Sequence, residues 1–277
     1  MIRQWKLFYE QVRDPSWPDC ETPLDIKNLP DHIAKELLIH DWKNNSNQYT
    51  TNTEVLSPAD VETGNKQLQF QVKDIKIYWE QGLDGGGTIF SQDIVDIVKK
   101  LYPGRQFNHA LEWCAGPAFI GFNLLANDVC TNLTLMDKHQ PAVTMCNETI
   151  KNLSARYSDR KVQALVADKI SAMPDQKFDL VVGNPPHWNW TEPPYQALGG
   201  IDRIALDAGW TIHNEFFQNI SNYLTDNAVI LLIEHRLSTG PGTFANVIKQ
   251  HGLKITNFFH TKSLPDFWFL ELTKEIE

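Results

Sequence analysis

Cationic residues are in short supply in this chain. Its 277 residues hold 25 Lys and Arg against 34 Asp and Glu, a formal net charge of −9. A chain of that sign does not attract a phosphate backbone as a whole, so a nucleic-acid partner would need a local basic patch. The densest basic spots, "KK" at 99 and "RYSDRK" from Arg156, are short or interspersed with acid and read as solvated helix faces. Cysteine is scarce too. Cys20, Cys114, Cys130 and Cys146 form no CxxC pair, which excludes a zinc knuckle and predicts free thiols in a reducing compartment. The nine histidines show no HExxH or other ligand spacing, and no metal is expected. No run approaches the ~18 uninterrupted apolar residues of a membrane span. The N-terminal "MIRQWKLFYEQVRDPSW" is too polar for a secretory leader. The expectation is a cytoplasmic monomer or weak dimer with no membrane association.

What is present is an ordinary globular composition, 42% apolar and 21% charged. The chain divides near residue 80. Residues 1–80 are irregular and are expected to form a small N-terminal capping or substrate-recognition module. Within them "DHIAKELLIHDW", from Asp31 to Trp42, has helical spacing, and Asn44 to Asn65 is polar and turn-rich. "KQLQFQVKDIKIYW" alternates as a strand does, with a break near Asp74. From 81 to 277 the pattern is regular. A Gly-rich loop precedes an amphipathic helix bearing Ile94, Val95, Ile97, Val98 and Leu101. Apolar strands then alternate with helical or loop segments: "HALEWC", "NLTLMD", "KVQALVAD", "FDLVVGN" and "AVILLIEH". Such alternation implies an α/β fold with a doubly wound, mostly parallel sheet. "KITNFFHTKS" and "FWFLELTKE" add an antiparallel C-terminal hairpin, making seven strands, with its turn at Leu264, Pro265 and Asp266.

Open parallel sheets bind ligands at the carboxyl ends of their strands. Here those ends carry "EWCAGPAFIG", Asp137, Asp168 and "NPPHW". "GPAFIG" fits GxGxxG if Ala118 stands for the middle glycine, and Asp137 follows Gly116 by 137 − 116 = 21 positions. An acid so placed accepts hydrogen bonds from ribose hydroxyls, in a dinucleotide or in S-adenosylmethionine. Pro117 removes an N–H that a pyrophosphate would use, and Glu112 suits the cationic half of S-adenosylmethionine. Gly116 as a plain tight turn and Asp137 as an exposed cap is the other reading.

In "NPPHW" the oxygen of Asn184 and the carbonyl of Pro185 could accept both N–H bonds of a planar –NH2 group and hold it in line with a methyl donor. Pro186 stiffens the turn. His187 and Trp188 offer flat faces for stacking. A helix start, with Asn184 as N-cap before proline, is the competing reading.

The order "LEWCAGPAFIG", "LMD", "VAD", "FDLVVGNPPH" resembles class I S-adenosylmethionine-dependent methyltransferases with an NPPY-type motif, written NPPH here. That group includes glutamine-amide and nucleobase amino N-methyltransferases. The resemblance runs from about Gly82 to the C-terminus and implies that Glu112, Cys114, Gly116 and Ala118 form the donor loop. It places Asp137 at the ribose and Asp168 at the adenine amino group, with Lys169 or Ile170 beside the ring. Asn184, Pro185, Pro186 and His187 would be the acceptor site, with Trp188 contacting substrate. Two departures stand out: Cys114 and Ala118 replace usual glycines, and His187 replaces Tyr or Phe, a residue able both to stack and to titrate near neutrality. His213 and His235 could line the acceptor side or be ordinary histidines. Trp188, Trp190 and Tyr195 suggest a lid.

The expected activity is N-methylation of a planar amide or amino nitrogen. A protein side-chain amide or small molecule is favoured by the acidic balance; an RNA or DNA adenine or guanine amino group is the alternative. The competing classes are an NAD-dependent dehydrogenase and a catalytically silent nucleotide-binding module.

Overall fold

The computed structural model describes residues 67–80, 83, 86–187, 206–235, 238–239, 242–261 and 267–275. The helix expected over Asp31 to Trp42, the lid aromatics Trp188, Trp190 and Tyr195, and the turn at Leu264 lie outside the described residues.

The first two strands, β1 (Gln67–Val72) and β2 (Ile75–Glu80), form an antiparallel hairpin that turns at Lys73 and Asp74. Alternation puts Phe70, Val72, Ile75 and Ile77 on one face, and all four are buried in the same core as the main sheet. The first helix, α1 (Gly87–Leu101), buries the stripe of Ile94, Val95, Ile97 and Val98 expected from its spacing and ends in Lys99 and Lys100, which suit the negative helix terminus.

Five strands run parallel: β3 (Phe107–Trp113), β4 (Cys130–Asp137), β5 (Val162–Val166), β6 (Phe178–Gly183) and β7 (Leu224–His235). They are separated by α2 (Phe119–Ala126), α3 (Gln140–Lys151) and α4 (Thr211–Asn219). After α5 (Ala245–Gln250), β8 (Leu253–His260) and β9 (Phe267–Lys274) complete a seven-stranded sheet of order β5-β4-β3-β6-β7-β9-β8. The C-terminal hairpin forms one edge of the sheet, as expected. β9 inserts between β7 and β8, antiparallel to both, so only this last strand is reversed.

Both sheet faces are covered, which explains the near-continuous apolar strands. Val229, Leu231 and Ile233 of β7 join the core beneath the hairpin, α1 and α2, whereas Ile230 and Leu232 join the one beneath α4 and α5. The β1–β2 hairpin docks on the first of these layers. Phe70 and Trp79 meet Phe119 edge-on at 5.4 and 5.7 Å, and Thr149 Oγ1 accepts the Tyr78 N–H at 2.9 Å.

Chain order reverses at β3: β4 and β5 step outward on one side, then β6 returns to the other. At that switch point Trp113 is level with Met136 and Gly183. A Cβ on Gly183 would lie 2.9 Å from the Trp113 carbonyl, so only glycine allows the two strand ends to approach this closely.

Candidate active site

The β3–α2 loop turns through three left-handed residues: Cys114 (φ 54), Gly116 (φ 52) and Ala118 (φ 66). These are the three positions at which the resemblance places glycines. The local fold therefore keeps the glycine conformation although two side chains are present. A non-glycine residue there is strained by roughly 1–2 kcal/mol.

Two carboxylates hold the loop. Glu112, buried at 2% exposure, accepts the Gly121 N–H at 2.7 Å, with the Ile120 N–H beside it. It thus caps the first turn of α2 from a neighbouring strand. A Cβ on Gly121 would stand 2.6 Å from Glu112 Oε2 and 2.8 Å from Leu135, so glycine is what lets the helix come this near. Asp137 accepts the Gly116 N–H on Oδ2 and the His139 N–H on Oδ1, both at 2.7 Å. At this turn and helix start the Gly116 and Gly121 N–H groups are thus taken by carboxylates and that of Ala118 by the Ala115 carbonyl, which leaves fewer donors for a pyrophosphate.

Above the strand ends lies a cavity of about 370 Å³. Its walls include Glu112, Cys114, Gly116, Asp137 and Asp168 from the ends of β3, β4 and β5 and the turns after them, and Asn184 and Pro186 from the turn after β6. The structure thus brings most of the expected residues to one space. Ala118, Lys169, Pro185 and His187 are not among its lining residues. Ala118 is the N-cap of α2 and fully buried. Lys169 caps the short turn Ile170–Ala172, and Ile170, expected beside the adenine, is buried with its N–H donated to Glu215 Oε2 at 2.8 Å. Trp188 lies outside the described residues. Sequence reading missed Leu83, Met136, Ala142 and Ile212, which supply apolar walls, and Lys138 and His139, directly after Asp137. Their adjacency to Asp137 was a usable signal for the last two.

His187 is 9% exposed, and its ring is set edge-on to Phe267 at 5.1 Å. Burial, aided by the nearby His213 and His235, holds its pKa well below the usual histidine value. It is neutral at pH 7, which corrects the expectation that it could titrate near neutrality. Its Nε2 lies 3.0 Å from Asn184 Oδ1. Behind it, His213 is fully buried, with Nδ1 2.7 Å from Asp207 Oδ2 and Nε2 3.5 Å from Glu234 Oε1. Burial alone would lower its pKa, but Glu234 and Asp207 outweigh that and carry it up to about 9.

A histidine raised in the fold contributes stability that is present below its unfolded value and lost as pH climbs through the folded value. The expected result is a loss on the order of 3 kcal/mol between about pH 6.5 and 9 beyond that of His213→Asn, which keeps the loss that the raised Glu112 carboxyl adds up to about pH 8, measured by urea unfolding of both proteins at both ends of that window. Glu112 offers a second linkage. Burial pushes its carboxyl up to about 8, against the opposing backbone hydrogen bonds, so the ligand-free chain holds a proton there at pH 7. A cationic ligand drawn to that carboxylate expels the proton. S-adenosylmethionine binding should therefore tighten from about pH 6 to 8, with proton release read by calorimetry in buffers of different ionisation enthalpy.

Among the described residues no group of three or more His, Cys, Asp or Glu is arranged to hold a metal, and no helix is long and apolar enough to cross a membrane. The methyltransferase small domain family model matches residues 74–198. The ribosomal protein uL3 glutamine methyltransferase of Francisella tularensis subsp. tularensis (strain SCHU S4 / Schu 4) is 30% identical over 127 residues, which cover 44% of this chain and 40% of that protein. The match thus spans less than half the length of this curated relative. Among solved structures, Trm5b from Pyrococcus abyssi aligns with a TM-score of 0.50 at 13% identity, over 76% of this chain and 56% of that one. The ribosomal protein L11 methylase from Lactobacillus delbrueckii subsp. bulgaricus aligns with a TM-score of 0.48 at 12% identity, over 70% and 83%. Residues 74–198 thus match the methyltransferase small domain family, and the sheet order is that of a doubly wound fold with acids at its strand ends.

Proposed function

We propose that this chain methylates a planar amide or amino nitrogen, with a protein side-chain amide of the glutamine type as the favoured acceptor. One observation carries the reading: Asn184 lines the same cavity as Glu112, Asp137 and Asp168, while the Gly116 and Gly121 N–H groups are engaged by carboxylates. That arrangement fits S-adenosylmethionine and disfavours a dinucleotide. Acidic walls suit a cationic amino acid half and ribose hydroxyls. The apolar Leu83, Met136, Ala142 and Ile212 suit a purine.

When bound, S-adenosylmethionine supplies an electrophilic methyl group on a sulfonium. Asp137 would hold the ribose; each of its oxygens has a further lone pair beyond the backbone N–H that it accepts. Glu112, ionised by the approach of the ligand, would face the ammonium, and Asp168 the adenine amino group. Asn184 then accepts an N–H of the acceptor and aims its lone pair, which is weakly nucleophilic because it is conjugated. Pro185 brings no N–H to compete. The acceptor nitrogen sheds its surplus proton readily after methylation, so the chain needs no general base. The Francisella relative, a glutamine methyltransferase, favours the side-chain amide. Labelled donor incubated with the chain and a fractionated lysate tests this. Label sensitive to protease and recovered as N-methylglutamine supports it; label sensitive to nuclease moves the acceptor to a nucleobase.

A further inference from the structure

An amide such as Asn184 presents an oxygen on one side and an –NH2 of nearly the same size on the other. An acceptor nitrogen bearing N–H groups is held only by the oxygen. The flipped amide would set donor against donor. Something must therefore fix the orientation, and His187, the fourth residue of the motif, faces the Asn184 oxygen.

We propose that Thr239 is a positioning residue for Asn184, acting through the His187 ring, and that the His213–Glu234 pair keeps that ring in the tautomer required. The inference rests on the acceptor role assigned to Asn184 above. His187 Nε2 faces Asn184 Oδ1 at 3.0 Å, an attractive contact only if Nε2 carries the proton. A neutral imidazole has one N–H, so Nδ1 is then an acceptor. Opposite Nδ1 stand the Thr239 hydroxyl at 3.4 Å and Glu234 Oε2 at 3.9 Å. Thr239 Oγ1 already accepts the His235 N–H at 2.7 Å, which leaves its own proton to donate to Nδ1. The hydrogen bonds then run in one direction, from the His235 backbone through Thr239 and His187 to the Asn184 oxygen. Thr239 is fully buried, so water does not compete for its proton.

Glu234 is the rival. An ionised carboxylate close to Nδ1 would draw the imidazole proton to that side and release Asn184. Both of its oxygens are buried without a well-formed hydrogen bond, and the cation at His213 lies nearer to it than His187 does, at 3.5 against 3.9 Å. His213 is itself held on its other side by Asp207, is stacked on Phe244 at 4.4 Å and has Trp113 and Trp210 edge-on. Packed on these sides, it stays 3.5 Å from Glu234 Oε1 and competes with His187 for the carboxylate. Among the described residues His235, 6.3 Å from His187 between ring centres, is a further titratable neighbour.

The test is long-range proton–nitrogen NMR of the full chain labelled at histidine. The wild type is expected to show His187 as the neutral Nε2–H tautomer throughout about pH 6–8. Thr239→Val, nearly the same shape, should shift most of the signal to Nδ1–H, and Thr239→Ser should restore it. In parallel, Thr239→Val should lower kcat about tenfold on the acceptor fraction from the labelled lysate, with S-adenosylhomocysteine affinity unchanged and Thr239→Ser recovering the rate. A wild-type Nδ1–H tautomer overturns the proposal, as does a Val variant that keeps both the Nε2–H tautomer and full turnover. The tautomer is read whether or not methyl transfer occurs, so a wild type that transfers nothing would remove the proposed function separately.

Discussion

Asn184→Ala is expected to lower methyl transfer by about 10²–10³-fold while S-adenosylhomocysteine binds with unchanged affinity. The magnitude is that of removing one preorganised hydrogen-bonding group aimed at a reacting centre. The separation of effects follows from the geometry. The loop-holding contacts run from Glu112 and Asp137 to backbone N–H groups, and Asn184 takes no part in them. Its removal leaves a shallow gap between His187 and Gly86, whose added Cβ would lie 3.5 Å from Asn184 Nδ2. Stopped turnover with intact ligand binding supports the acceptor role. Normal turnover in this variant would refute it, because alanine offers no oxygen to an N–H.

The second large effect is expected at Asp137, where alanine should weaken donor binding by about 1–3 kcal/mol, roughly five- to 150-fold in Kd. Two losses combine. The ribose hydroxyls lose an ionised acceptor, and the Gly116 and His139 N–H groups lose the carboxylate that draws the loop and the start of α3 together. Asp137→Asn separates them. It keeps one oxygen for one backbone N–H but lacks the charge and the second acceptor, so it should fall between wild type and alanine. Calorimetry with S-adenosylhomocysteine measures all three proteins. An unchanged Kd in the alanine variant would count against the ribose role.

Much of this site was legible in the chain because parallel strands are buried on both faces and so stand out as apolar runs. The residue that ends such a run lies at the ligand-binding edge, which made Glu112, Asp137, Asp168 and Asn184 readable one strand at a time. The left-handed turns at Cys114, Gly116 and Ala118 were legible only through the resemblance, since cysteine and alanine give no local hint of positive φ. Helix α2 was obscure for another reason: every residue from Phe119 to Ala126 is buried, so it shows no polar face and no helical period. The order of the last strands was hidden as well, because β8 and β9 pair as a hairpin whichever of them meets β7.

The buried polar cluster was the least legible part. Asn184, His187, Asp207, His213, Glu234 and Thr239 come from the turn after β6, the approach to α4, α4 itself, the end of β7 and the turn beyond it. Apart from the NPPH motif that joins Asn184 to His187, no spacing links them, and Asp207, His213, Glu234 and Thr239 each read alone as an ordinary polar residue. Only the return of β6 and β7 beside β3 brings them together. Ile170, expected with Lys169 as one of two residues beside the adenine, lies off the cavity walls for a related reason. Glu215 of α4, remote in sequence, claims the backbone N–H groups of Ile170 and Ser171 and fixes that turn against the helix.

The account's central claim is that the cavity at the ends of β3, β4, β5 and β6 is the seat of S-adenosylmethionine. Calorimetric titration of the full chain with S-adenosylhomocysteine, and separately with NADH, addresses that most directly. One saturable site for S-adenosylhomocysteine, weakened in Asp137→Ala and preserved in Asn184→Ala, with no heat from NADH, is the result expected. Saturable NADH binding without S-adenosylhomocysteine binding would contradict it.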